Sequence, residues 1–176
     1  MDFGALCQQC GTDKGKYSSA YSGWLRPDRV SRILEMGIGG GFSIRLWLKY
    51  LPKAEVVVFD NQASAYRDVI TLGNMQRVTA YTGNQTDLLF LEYLVRKHGP
   101  FDVIVDDAGH VPAEQLEAFT FLFERMNPRV MGVPRGMYII EDIPDPVEKH
   151  WVSLVTHTKD IEHSLNTNEV IVRIRR

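Results

Sequence analysis

The stretch Arg32 to Tyr50, RILEMGIGGGFSIRLWLKY, decides the fold. Arg32 to Met36 is a short apolar strand, GIGGG follows it, and Phe42 to Tyr50 sets Phe42, Leu46 and Tyr50 on one helical face with Ile44 and Leu48 beside it. Pro52 marks the end of that helix. A strand that runs through a glycine-rich turn into a helix is the first unit of a β-α alternation, and the chain downstream keeps the rhythm.

Glu55 to Phe59 (EVVVF) is apolar without alternation, as a strand buried on both faces should be, and it ends at Asp60. A helix is expected over Ala63 to Leu72, a strand over Gln76 to Thr82 leading into GNQTD, and a helix over Leu88 to Lys97, closed by His98-Gly99-Pro100. Phe101 to Val105 is the fourth strand, with a helix over Ala113 to Met126 opening after Pro112. Gly136 to Ile140 is the fifth, followed by a helix near Val147 to Thr156. Ile161 to Leu165 and Glu169 to Ile174 then read as a closing antiparallel pair around Asn166-Thr167-Asn168. Five β-α alternations followed by a hairpin predict a doubly wound α/β sheet whose first strands are parallel. Ligands bind such sheets at the carboxyl ends of the strands, near the topological switch point.

Composition bounds the function classes. The 176 residues carry 20 basic and 22 acidic side chains, so neither nucleic acid nor an anionic membrane is expected as the main partner. No apolar run reaches the roughly 20 residues of a membrane span, and the N-terminus shows no basic region followed by an apolar core. The two cysteines, Cys7 and Cys10, have C-x-x-C spacing. With no second pair to complete a zinc site and no preceding strand, they read as incidental thiols of a terminal helix in a cytoplasmic protein.

Chemistry is expected at the strand ends. After the first strand, Glu35 stands two residues before Gly37 in G-x-G-x-G spacing through Gly39 and Gly41. Glycine permits the tight turn and a close approach of ligand to main-chain N–H groups. The turn lacks the Gly-Lys-Ser/Thr of a phosphate loop, and the carboxylate points to a positively charged ligand group, an α-ammonium or a sulfonium. Asp60, at the second strand end, is placed to accept from ribose hydroxyls, although a strand-end Asp also caps helices. Together the two signals describe an adenosine-type ligand without phosphate, S-adenosylmethionine. Asn84 and Gln85 in GNQTD offer amide donors and acceptors for an adenine edge, and the same residues make equally good turn composition. A nicotinamide-dependent oxidoreductase is disfavoured by Glu35 and by the glycine spacing.

The fourth and fifth ends, FDVIVDDAGH and MYIIEDI, bring Asp106, Asp107, Glu141 and Asp142 around one cleft, where carboxylates repel unless a cation stands among them. Oxygen ligands favour a hard ion, Mg2+ first and Mn2+ or Ca2+ behind. His110, with no Cys or second His nearby, reads as a general base rather than a ligand.

These blocks, namely GTDKG with Tyr17 and Tyr21, ILEMGIGGGFSIRLW, GNQTD, GPFDVIVDDAGH and YIIEDI, resemble the metal-dependent class I methyltransferases of natural-product biosynthesis. Within that class they look most like the macrocin and mycinamicin sugar O-methyltransferase group, over roughly Gly11 to Asp142. The resemblance implies a Rossmann-like, seven-stranded methyltransferase sheet, mostly parallel with an antiparallel C-terminal strand. It implies one domain over 1–176, with 1–30 as a helical cap segment and 31–176 as the core.

It also implies S-adenosylmethionine as donor, Mg2+ (or Mn2+) holding a hydroxyl of a small-molecule sugar or polyketide acceptor, and self-association into a homo-oligomer. By position, Asp107, Glu141 and Asp142 match metal ligands, His110 the base, and Glu35, Gly37 and Asp60 cofactor contacts. Asp106 is assigned to the cofactor side or to holding the loop. Asp-Asp-Ala-Gly-His replaces the usual Asp-Asp-Gly-Ser-His, Asn84 stands where Asp is common, Glu114 replaces a second histidine, and Pro128 to Arg135 reads as an insertion. A second reading is a methyltransferase fold that has lost transfer and serves as a cyclase, an isomerase or a cofactor-bound binding protein.

Overall fold

The computed structural model describes residues 2–70, 76–127, 136–144, 161–166 and 169–175. Five parallel strands form its centre: β1 (Arg32–Met36), β2 (Glu55–Asp60), β3 (Val78–Thr82), β4 (Val103–Asp106) and β5 (Met137–Pro144), in the order β3-β2-β1-β4-β5. The chain moves outward from β1 through β2 to β3 and then returns to β4 on the other side of β1, so the switch point lies between β1 and β4. Register aligns the strand ends: Met36 pairs with Phe59 on one side and with Asp106 on the other, and Asp106 pairs with Ile140. The loops after β1 to β4 therefore leave the sheet along one edge.

Period two along each strand sorts the side chains into two cores. Ile33, Val56, Val58, Val103, Val105 and Ile139 pack with helices α1 (Phe3–Cys10), α2 (Ser18–Trp24), α3 (Phe42–Tyr50) and α4 (Ala63–Ile70). Leu34, Val57, Phe59, Ile104, Tyr138 and Ile140 pack with α5 (Leu88–His98) and α6 (Pro112–Phe123) on the opposite face. Covering both faces is why EVVVF shows no polar alternation. On β1 the same rule puts Glu35 on the face of Ile33, inside the first core, where it is fully buried.

Two polar ties fix the frame. Asp102 accepts from Ser31 N at 2.7 Å and Arg32 N at 3.0 Å, which pins the start of β4 beside the start of β1. Arg77 donates to the carbonyls of Leu48 and Leu51 at 2.8 and 3.0 Å and closes the C-terminus of α3.

The expected elements recur with small shifts. The first strand and its helix keep their expected bounds; the third strand begins at Val78, the fourth runs Val103–Asp106, and α6 spans Pro112–Phe123. Leu72, the 128–135 segment and the expected helix near 147–156 fall outside the described residues. The N-terminal segment holds the short helices α1 and α2 with a 3-10 turn (Asp13–Tyr17) between them. Cys7 and Cys10 lie unpaired on the buried side of α1, and burial pushes the Cys7 thiol up to about 12, so it stays protonated and inert. No described helix is long and apolar enough to cross a membrane.

Candidate functional site

The ends of β1 to β4 enclose a cavity of about 280 Å3. Its wall is made by Gly37 and Gly39 after β1, Phe59 to Gln62 at the end of β2, Gly83 to Gln85 after β3, Asp107 to Gly109 after β4, and Glu114 in the first turn of α6. Gly37 has φ +90°, and a Cβ there would stand 2.1 Å from the Asp107 carbonyl oxygen, so only glycine lets the β1 and β4 loops meet. Gly39, at φ +50°, faces open space. Asp60 staples this turn: Oδ2 accepts from Ile38 N at 2.9 Å and Gly39 N at 3.4 Å, while Oδ1 accepts from Gln62 N at 2.8 Å. A carboxylate has about four acceptor positions, so capacity remains for a ligand.

Beside the cavity lies a buried charge cluster that sequence reasoning missed. Lys14, from the 3-10 turn, is 1% exposed, and its Nζ donates to Glu141 Oε2 at 2.5 Å and Asp107 Oδ2 at 2.6 Å. Glu35 Oε1 faces the same ammonium at 3.2 Å, close enough for ion pairing but not aligned as a hydrogen bond. Glu35 Oε2 accepts from Ser43 Oγ at 2.8 Å and Trp47 Nε1 at 3.0 Å, and Tyr21 OH donates to Glu141 Oε1. Burial alone would lower the Lys14 pKa, but Glu141, Asp107 and Glu35 hold it well above the ordinary value. Desolvation raises the Glu141 carboxyl, and the charge of Lys14 with the bonds from Lys14 and Tyr21 opposes that rise. Lysine is thus the cation among these carboxylates, and no periodicity or spacing ties it to partners some ninety or more positions away in the chain.

A second group faces outward. Asp107, His110 and Asp142 each offer a ligand atom, all within 4.8 Å of one another, and His110 Nε2 lies 4.0 Å from Asp107 Oδ1. Asp142 Oδ1 accepts from Tyr17 OH at 2.6 Å and pairs with Lys16 Nζ at 2.7 Å. Burial would raise the Asp142 carboxyl, yet these donors hold it below its usual range. His110 and Asp142 are the two non-glycine residues with positive φ among those described, at 51° and 53°. Such backbone costs on the order of 1–2 kcal/mol per residue and concentrates at functional sites. The structure therefore splits the expected acidic set: Asp142 belongs to the outer group, Glu141 is taken up by Lys14 and Tyr21, and Asp107 is shared, with Oδ2 on Lys14 and Oδ1 toward His110.

Of the other expected residues, Gly37, Gly39, Asp60, Asn84 and Gln85 line the cavity; Glu35, Gly41 and Asp106 are not among its lining. Gly41 caps α3 at φ +75°. Asp106 is fully buried, accepts from Tyr138 OH at 3.3 Å, and is pushed by desolvation from 3.8 up to about 7. Its pKa is raised on folding, so the stability it contributes is complete below about pH 4 and disappears as pH rises toward 7. Asp106→Asn, which cannot ionise, should therefore lose less stability than wild type between pH 4 and 8. Urea midpoints measured across that range check this, and parallel curves would refute it.

Comparison with known proteins agrees with this architecture. No protein-family model matches the chain. Mycinamicin VI 2''-O-methyltransferase of Micromonospora griseorubida is 31% identical over 119 residues, covering 64% of this chain and 27% of the relative. A rhamnosyl tetracenomycin-C 2'-O-methyltransferase of Streptomyces olivaceus is 32% identical over 151 residues, covering 78% of this chain and 36% of the relative. The chain thus spans about a third of the length of these relatives. Among solved structures, the MycE methyltransferase of mycinamycin biosynthesis, in complex with Mg, SAH and mycinamycin VI, superposes with a TM-score of 0.77. Its identity is 23%, with 99% of this chain and 55% of that one covered. An O-methyltransferase family protein from Burkholderia thailandensis gives 0.66 at 12% identity, over 96% of this chain and 61% of that one. The chain has the α/β methyltransferase fold and matches in sequence the O-methyltransferases that tailor macrolide and other glycosylated natural products.

Proposed function

We propose that this chain binds S-adenosylmethionine in the cavity at the β1–β4 ends and transfers its methyl group to a hydroxyl of a glycosylated or polyketide natural product. The observation that carries this reading is the junction of that cavity with the Asp107–His110–Asp142 group: Asp107 belongs to both. A glycine turn open to ligand, a carboxylate at the second strand end and amides at the third suit an adenosine without phosphate. Asp107 and Asp142, with Glu141 behind them, are hard oxygen donors suited to Mg2+ or Mn2+. Glu141 joins them only by exchanging its bonds to Lys14 and Tyr21.

When bound, S-adenosylmethionine supplies the electrophilic methyl and a divalent cation acidifies the acceptor hydroxyl. The chain's own groups orient and deprotonate: His110 takes the hydroxyl proton at Nε2, and Asp107 Oδ1, 4.0 Å away, stabilises the resulting positive ring. Glu35 fixes Lys14 and so the inner wall of the site. In the same reading residues 1–30 form a cap and 31–176 the core of one domain. The sheet is completed by β6 (Ile161–Asn166) and β7 (Glu169–Arg175), with β7 antiparallel to β5 and β6 antiparallel to β7.

One observation favours the alternative, a fold that has lost transfer. Lys14 already neutralises the inner carboxylates, so the site is not obliged to hold a metal. Mn2+ binding followed by electron paramagnetic resonance, in the presence of S-adenosylhomocysteine, separates the two. The proposal expects one ion per chain and an affinity weakened at least about tenfold by Asp142→Asn. Absence of binding would leave only the alternative or a metal-independent reaction.

A further inference from the structure

We propose that Tyr17 is the positioning residue for Asp142: its hydroxyl grips both the carboxylate and the backbone of that residue and holds it in the conformation that aims it at the cation site. This rests on the metal reading above. Tyr17 follows GTDKG in the sequence, and the chemistry of transfer leaves it without a part.

The path of β5 explains why Asp142 has to be held. Successive side chains of a strand face opposite sides, so residues an even number apart share a face. Ile140 and Ile143 nevertheless pack in the same core, while Glu141 between them faces the other way, against Lys14 and Tyr21. Three steps stand where two belong, and an extra residue of this kind re-aims side chains near functional sites. Its effect is that Glu141 and Asp142, neighbours that would diverge in a regular strand, both turn toward the N-terminal segment, where Asp142 Oδ1 meets Tyr17 and Lys16. Asp142 itself makes the turn, at φ 53°, a conformation unfavourable for an L-residue.

One hydroxyl opposes that cost at two points. Tyr17 OH donates to Asp142 Oδ1 at 2.6 Å and accepts from Asp142 N at 3.3 Å. A phenol carries one proton and accepting lone pairs, so the two bonds coexist. Tyr17 has little room to follow a moving partner, being 2% exposed at the end of the 3-10 turn and packed in the first core. Bonds to the side chain and the main chain of the same residue fix its side-chain torsion together with its φ. In that posture Asp142 offers a ligand atom within 4.8 Å of those of Asp107 and His110. Without the hydroxyl, Asp142 N loses this partner, the backbone is free to return to negative φ, and the carboxylate swings off the site. Lys16 pairs with the same carboxylate at 2.7 Å but makes no bond to its backbone.

The test is Mn2+ affinity, read by electron paramagnetic resonance in the presence of S-adenosylhomocysteine. Tyr17→Phe keeps the ring in the core and removes only the hydroxyl; it should weaken Mn2+ at least about tenfold while S-adenosylhomocysteine affinity without metal stays within about threefold of wild type. Lys16→Met, which also takes a partner from Asp142, should not weaken Mn2+, because losing a positive charge favours a cation. Tyr17→Phe binding Mn2+ within about threefold of wild type, or Lys16→Met weakening it as much as Tyr17→Phe, overturns the inference and leaves the metal reading standing. Should Tyr17→Phe unfold, hydrogen exchange at the Asp142 amide of wild type decides: slow exchange supports the grip, and exchange as fast as that of an exposed loop overturns it. If wild type binds no Mn2+, the metal reading fails and the inference falls with it.

Discussion

Lys14→Met is expected to cost about 3–5 kcal/mol of folding stability, the range found when one partner of a buried ion cluster is removed. Methionine keeps the length and apolar stem of lysine, so the change isolates the charge. It leaves Glu141 and Glu35, 2% and 0% exposed, without their shared cation in a medium that solvates ions poorly. Whole domains are stable by only about 5–15 kcal/mol, so this one substitution would remove a large share. Lys16→Met is the matched control. Lys16 is 26% exposed and pairs with the partly exposed Asp142, and such pairs contribute about 1 kcal/mol or less. Urea unfolding of both variants at neutral pH decides the matter, and a Lys14→Met loss no larger than that of Lys16→Met would refute the counter-ion role.

His110→Ala should lower methyl transfer by about 10^2 to 10^4 while leaving S-adenosylhomocysteine affinity within about threefold. His110 is not among the cavity-lining residues, and its Nε2 points toward Asp107, on the acceptor side of the site. Turnover is read as S-adenosylhomocysteine released from glycosylated polyketide acceptors. A fall in cofactor affinity equal to the fall in turnover would show that His110 binds rather than deprotonates. Unchanged turnover would remove it from the mechanism. The φ of 51° adds a second expectation: the alanine variant keeps a disfavoured backbone, so loss of activity need not bring a gain in stability.

Much of the fold was legible because its signals are local. EVVVF announces burial on both faces, GIGGG a strand-to-helix turn, and Asp60 and Asp106 close β2 and β4, whereas β5 runs past its acidic pair Glu141-Asp142 to Pro144. The two-sided core explains why alternation was absent and why apolar runs of four to six residues sufficed. Lys14 was not legible, because a lysine in a turn-rich segment has no periodicity to betray it. Its role exists only once the 3-10 turn folds back onto the ends of β1, β4 and β5. Glu35 shows the same gap from the other side. The sequence argued that this carboxylate needs a positive partner, and a positive group does face it, belonging to the chain itself.

In the sequence Glu114 stands out only as a departure from a pattern, since its contact with Gln85 joins the first turn of α6 to the loop after β3. Asp106 and Asp107, adjacent in the chain, part company because successive side chains at a strand end point to opposite faces: one enters the core against Tyr138, the other turns to Lys14 and the cavity.

The central claim is that an adenosine-bearing sulfonium cofactor occupies the cavity whose glycine turn is held by Asp60. Calorimetric titration of S-adenosylhomocysteine into wild type and Asp60→Ala tests it most directly. The account predicts one site per chain and at least about tenfold weaker binding in the variant, which loses both the turn's staple and the ribose acceptor. Absence of heat from wild type, or equal affinity in the two proteins, would contradict it.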